Sequence, residues 1–377
     1  MITSFARGFA VAVGLLLFPV GLAFAVEPGE SLVLDPVSGD YLVTYSEKIK
    51  GGSSILSQAT FVPATKIVPN INSKFNLDHA GAVTYSYTVS SGAQSRQLID
   101  TIRLDLVGKV VGSQELPTDM QSSTQAQMYA ALEANSHALF TPAGWRGAIS
   151  SYVGGATVSW HPVDSRAGIQ QKGFLKGFGF VSQNLPGVGV AQFKGARRFS
   201  NGFGGDGPRP DSEIRKQYEA LKNNDFVVHN AAVPTITVPS PFDAAALLDN
   251  IRVHVSTWAG KQLLDPALAT QFDRYIVAAA DAYRRNQSKA GKENIETVRE
   301  MLRREHKDID RDDDEEVQDG KHGDQNIDHG AGSQRILIDR LAAHILDFDL
   351  QYVLKRMEKE HEHDHDEGDR RKELERR

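Results

Sequence analysis

The sequence predicts an α+β multidomain protein, an N-terminal β-sandwich-like region followed by a C-terminal helical bundle. Three observations carry that reading. Up to about residue 195, short β-branched and aromatic runs alternate with Gly- and Pro-containing turns. Beyond Phe242, apolar residues recur at spacings of three and four instead of two. With 377 residues, 40% hydrophobic and 24% charged, the chain has the composition of a folded protein with more than one core. Its 42 Lys+Arg and 48 Asp+Glu give a net charge of −6, without the basic stripe of a nucleic-acid-binding protein. Cysteine is absent, which excludes disulfides, thiol nucleophiles and thiolate metal sites.

Residues 1–25 read as a secretory signal peptide. Arg7 supplies a short positive start, an apolar run follows to Phe24, and Ala23-Phe24-Ala25 offers the small-x-small cleavage pattern. Pro19 interrupts the run, which is short for a membrane anchor. The expected product is exported, periplasmic or extracellular, with no membrane span after signal cleavage.

Residues 26–200 form the sandwich-like region. Stretches 31–35 and 41–45 flank Pro36-Val37-Ser38-Gly39-Asp40, the signature of a hairpin connection. In 82–90, Val83, Tyr85, Tyr87 and Val89 alternate with Thr84, Ser86 and Thr88, the period of a half-buried antiparallel strand. Ile102, Leu104 and Leu106 repeat the pattern, a short helix is expected over 124–134, and strands resume at 147–153, 156–160, 174–182 and 188–193. Residues 201–241 are expected to be a linker with one short helix at 211–221, because Gly202–Gly207 gives a flexible break and Pro234, Pro239 and Pro241 an extended spacer.

The helical bundle is expected over 242–357. Leu247, Leu248, Ile251 and Val255 share a face, and Asp265-Pro266 places a capping carboxylate before a proline at the first helical position. Ile295, Val298 and Leu302 mark a third helix, and Leu337, Leu341, Ile345, Phe348 and Tyr352 a fourth. A disordered acidic loop is expected over 306–334, and 358–377 is a charged, His-rich tail.

Residues 247–302 (LLDNIRVHVSTWAGKQLLDPALATQFDRYIVAAADAYRRNQSKAGKENIETVREML) and 338–353 (IDRLAAHILDFDLQYV) resemble the FIMAH-type helical domain. The helix rhythm and the Ala–Lys–Ile turn near Ala290 bear the likeness. Such domains sit at the ends of secreted bacterial proteins, including polysaccharide-acting ones. The stretch 167–190 (AGIQQKGFLKGFGFVSQNLPGVGV) is similar to a glycine–phenylalanine strand and Leu-Pro-Gly turn of uncharacterised secreted bacterial sandwich proteins. Both likenesses imply export and architecture, and neither implies a catalytic residue.

Two segments carry metal-ligand patterns. Asp308, Asp310 and Asp312 offer oxygens at alternate positions, as an EF-hand loop opens, with Asp319 at position twelve; Asp313 stands where the turning glycine is expected. His361, Glu362 and His365 satisfy H-E-x-x-H, with His363 between them, but the surrounding segment is almost devoid of apolar residues. The expectation is a solvated loop and tail, with weakly bound calcium or zinc as the alternative. Trp160, His161 and Asp164, with Tyr85, Tyr87 and Tyr152, would make a sugar-binding platform if exposed, yet aromatic residues in alternating strands belong to cores. No catalytic residue can be assigned. The function expected is a secreted, non-enzymatic binding or surface-associated protein, its β region engaging a polysaccharide or another cell-envelope or matrix component. A carbohydrate-active enzyme and a metal-binding periplasmic protein are the alternatives.

Overall fold

The computed structural model describes residues 28–48, 54–78, 81–114, 125–152, 155–164, 166–196, 208, 211–223, 226–306 and 337–374. The fold is mixed α+β, with three antiparallel sheets and six helices among the described residues, β-rich at the N-terminal side and helical at the C-terminal side. The chain divides into two compact units, one of residues 1–63 and 198–224, the other of 64–197 and 225–377. The expected signal peptide lies outside the described residues.

The first unit is a meander of β1 (Ser31–Leu34), β2 (Tyr41–Lys48) and β3 (Ser54–Phe61). The expected hairpin joins β1 to β2: Asp35 accepts from the Val37 N–H at 3.0 Å and the Ser38 hydroxyl at 2.5 Å, and Gly39 adopts φ +66°. The helix α2 (Glu213–Asn223) sets Ile214 and Tyr218 on Val43, Tyr45, Ala59 and Phe61, with Phe61 and Tyr218 edge to face at 5.1 Å. Two segments far apart in the chain therefore share one small core. That pairing divides the region expected to be continuous from residue 26 to 200.

The second unit holds two sheets. One has the order β4 (Pro69–Leu77), β5 (Val83–Ser91), β10 (Phe174–Ser182), β7 (Leu139–Phe140). The other runs β12 (Val227–Thr237), β11 (Asn184–Gly195), β6 (Ile99–Leu106), β9 (Gly155–Pro162), β8 (Trp145–Tyr152). The helix α1 (Gln125–His137) lies between β6 and β7 in the chain. Residues of β5 alternate buried and half-buried along the whole strand, as their period of two requires. Rings from the two sheets meet: Tyr87 and Trp160 at 6.3 Å, Trp160 and Phe178 at 5.6 Å. The Tyr87 hydroxyl donates to the Ala232 carbonyl at 2.7 Å and that of Tyr85 to Asn184 at 2.9 Å, so the phenols satisfy their polar tips inside the core.

The expected spacer is where the structure differs most from the sequence reading. Residues 227–237 form β12, the edge of the five-stranded sheet, with Ala231, Ala232, Val233 and Ile236 buried. Pro234 is accommodated because an edge strand has one side with no ladder bond to lose, and the register with β11 shifts between Leu185 and Pro186 at this point.

Four helices follow: α3 (Ala244–Gly260), α4 (Pro266–Arg284), α5 (Ser288–Glu305) and α6 (Arg340–Leu374). Asp243 caps α3 by accepting from the Ala246 N–H at 3.0 Å, and Asp265 caps α4 by accepting from Ala267 at 2.9 Å. At Gly291 a Cβ would stand 2.7 Å from the Tyr283 ring, so glycine permits the close approach of α4 and α5. The stripes Leu247–Leu248–Ile251–Val255, Phe272–Ile276, Ile295–Val298–Leu302 and Ile345–Leu346–Leu350–Val353 are buried, and they join the sheets in one continuous apolar core. The expected tail continues α6 as helix to Leu374.

Candidate functional site

A cleft of about 890 Å³ in the second unit lies where the edge strands of the two sheets approach and α6 passes beside them. Its lining is unusual in sequence terms. Every residue from 70 to 76 on β4 contributes, together with His229 and Asn230 of β12 and a series on α6 from Asp339 to Gln351. A strand that lines a cleft with consecutive residues presents its backbone edge there, because one face alone would contribute only alternate residues.

Side chains on β4 divide by parity. Asn70, Asn72 and Asn76 are exposed, whereas Ile71, Phe75 and Leu77 pack against the core. Phe75 meets Phe348 of α6 edge to face at 5.1 Å, so a ring contact ties the strand wall to the helix wall. Ser73 Oγ accepts from the Ala232 N–H at 3.1 Å and fixes β12 against β4.

The helix wall is held by charge. Arg299 of α5 donates to both carboxylate oxygens of Asp347, at 2.8 and 3.5 Å, with both side chains nearly buried. Burial opposes the guanidinium charge, but the hydrogen bond and charge of Asp347, with Glu296 beside it, hold its pKa above the usual value. Gln351 donates to Asp347 at 2.6 Å. Asp339 accepts from the Ala342 N–H at 3.2 Å and so caps α6. Both carboxylates lining the cleft thus have structural partners. His229 packs edge to face on Phe193 at 5.9 Å, and burial lowers its pKa.

The opposite face of α6 holds a different group. Asp349 is 1% exposed, and neither carboxylate oxygen has a hydrogen-bond partner among the described residues. Burial pushes its pKa well above the usual carboxylate range. His254 of α3 lies close under Gly187, where a Cβ would come within 2.7 Å of its ring, and against Trp258 at 5.6 Å. Burial first, then the positive charge of Lys261, lowers its pKa to about 4.

The metal-ligand patterns do not coincide with this cleft. Asp308, Asp310, Asp312 and Asp319 lie outside the described residues. His361, His363 and His365 fall on the last turns of α6. Positions 361 and 365 are about one turn apart there, and position 363 lies roughly 200° round the helix from 361. Among the described residues no group of three or more His, Asp or Glu is gathered to hold a metal ion. No described helix is long and apolar enough to cross a membrane.

Trp160, Tyr85 and Tyr87 are buried core residues. Trp160 donates its indole N–H to the Phe140 carbonyl at 3.2 Å, and Trp145 to Ala167 at 3.0 Å. An aromatic sugar platform on this strand face is therefore ruled out. Sequence reading missed residues 70–76 because Asn-Ile-Asn-Ser-Lys-Phe-Asn matches no motif; the alternation of amides with Ile and Phe was the available signal. No family model matches the chain, and no curated protein matches it.

Proposed function

We propose that this is an exported, non-enzymatic binding protein that holds an extended stretch of an envelope or matrix polymer in the cleft between β4 and α6. The observation that carries the reading is the position and lining of that cleft: mostly polar, and walled by a strand edge and a helix, each fixed in a common core. The two sheets of the second unit act as the layers of a β-sandwich, and α3–α6 as a helical module that supplies the second wall. The FIMAH-like rhythm of 247–302 and the export signal at 1–25 agree with a role at the cell surface.

Binding is favoured over hydrolysis by the carboxylates. Asp347 is committed to Arg299 and Gln351, and Asp339 to the cap of α6, whereas a glycosidase keeps a pair of carboxyl groups directed at the scissile bond. The test is retention of the purified protein on insoluble envelope polysaccharides and on immobilised envelope proteins, with Asn72→Trp to fill the cleft and Asn230→Ala to remove one amide. Retention lost in Asn72→Trp, at unchanged melting temperature, supports the reading. Equal retention of wild type and Asn72→Trp on every polymer would remove the cleft from it.

A further inference from the structure

The hydrogen-bonding parity of β4 can be worked out from its two ends. At the hairpin, the Asp78 N–H donates to the Ala82 carbonyl at 2.8 Å, and the register then runs Leu77↔Val83, Asn76↔Thr84 through Asn70↔Ser90 without a shift. Bonded and non-bonded pairs alternate in an antiparallel ladder. Counting from the bonded Asp78–Ala82 pair, Asn76, Lys74, Asn72 and Asn70 exchange bonds with β5, and Phe75, Ser73 and Ile71 turn their N–H and C=O the other way. The far end agrees: the Ser91 N–H donates to Gly173 next to β10 at 2.9 Å, so odd residues of β5 face β10 and even ones face β4. Beyond β4 there is no further strand in its sheet among the described residues.

Three residues of one strand thus direct a row of backbone donors and acceptors into the cleft. The row repeats every two residues, roughly 6.8 Å, a spacing that another β-strand matches and a glycan chain does not. The walls agree in length: six residue steps over 70–76 span roughly 20 Å, and twelve over 339–351 on α6 span roughly 18 Å. The side chains define the guest further. Ile71, Phe75, Leu341 and Phe348 form the apolar side of the cleft, and Asn70, Asn72 and Asn76 the polar side. Lys74, Arg340 and the N-terminal end of α6 also line this space.

We infer that the cleft takes an extended polypeptide segment, added as a fifth strand at the open edge of β4. Its alternate side chains are apolar, toward Phe75 and Phe348, and polar or acidic, beside Asn72 and Lys74. This rests on the reading of the cleft as the polymer site and names the chemistry of that polymer. Edge strands in stable proteins are usually covered or blunted; here a cleft of about 890 Å³ lies between the edge and the helix beside it.

The experiment uses the purified protein and fluorescein-labelled nine-residue peptides from a library alternating apolar with acidic or amide residues, read by fluorescence polarisation. The best peptide is then N-methylated on alternate residues in two complementary versions. Strand addition requires one version to bind at least tenfold more weakly and the other to bind as the parent does. Ile71→Pro, which removes an outward N–H and no bond to β5, is expected to weaken the parent peptide at least tenfold; the N-methyl pair supplies the same answer if that variant is unstable. Peptide binding that ignores the N-methylation pattern overturns the inference. Polysaccharide retention abolished by Asn72→Trp, with no peptide bound at 1 mM, overturns the inference and leaves the polymer reading standing. Neither peptide nor polysaccharide responding to Asn72→Trp overturns both.

Discussion

The two units solve the problem of building a core in different ways. Among the described residues the first gathers a cluster of six buried apolar side chains from a three-stranded meander and one helix, and leaves Val33, Leu34, Val37, Leu42, Ile55 and Leu56 exposed. The second merges two sheets and four helices into one apolar core, with Trp160, Phe178, Phe180, Phe193 and Phe272 wholly enclosed. A small unit buries a smaller share of its surface and is correspondingly marginal. The difference teaches that local stability is uneven along this chain, and that the candidate site stands on the stronger of the two foundations.

Core truncations give the largest expected effects. Trp160→Ala should cost about 3–5 kcal/mol and lower the melting of the second unit. Phe61→Ala, of similar cost, should unfold the first unit while amides of α4 and β6 stay protected in hydrogen exchange. Loss of protection in both units together would show that they unfold as one.

Next comes the ion pair behind the helix wall. Arg299→Ala leaves Asp347 nearly buried without its cation and should cost about 3–5 kcal/mol, whereas the double change Arg299→Met, Asp347→Leu should recover most of it. Chemical denaturation of the three variants measures both numbers. A loss confined to the surface-pair range of about 1 kcal/mol would mean that water reaches the pair.

The buried histidine gives a pH signature. His254 has its folded pKa depressed from 6.5 to about 4, so its contribution is present above pH 6.5 and is lost as pH falls toward 4. The full shift corresponds to roughly 3 kcal/mol. Asp349, with its pKa raised, acts in the opposite sense, losing stability as pH climbs above 3.8. The informative quantity is therefore the difference between wild type and His254→Asn, which should change across pH 4–6.5 and be flat above it.

The smallest effect concerns a cap. Asp265→Ala removes the acceptor for the Ala267 and Leu268 N–H groups and should cost about 1 kcal/mol, read as a small fall in melting temperature of the second unit alone.

Period and capping made much of this architecture legible in the sequence. Val83, Tyr85, Tyr87 and Val89 announced β5 by alternation, and Asp265-Pro266 announced α4 by local chemistry. Pairings between distant segments were not legible. Nothing near Ile214 and Tyr218 says that they cover Val43 and Phe61, because apolar faces are interchangeable until a chain closes. Residues 227–237 were misread as spacer because Pro234 argues against a central strand and is silent about an edge. The cleft was hidden for a related reason. Its chemistry on β4 belongs to backbone groups of Ile71, Ser73 and Phe75, which every sequence possesses and only a fold directs outward.

The double allegiance of α6 has a kinetic consequence. Phe348 and Gln351 face the cleft while Leu346, Leu350 and Val353 are locked in the core, so the helix cannot shift to admit a guest without disturbing its own packing. Encounter should then proceed in a single step at an ordinary rate, on the order of 10⁵–10⁷ M⁻¹s⁻¹, with no slow rearrangement before or after. Guests of different quality would arrive alike and differ in how long they stay.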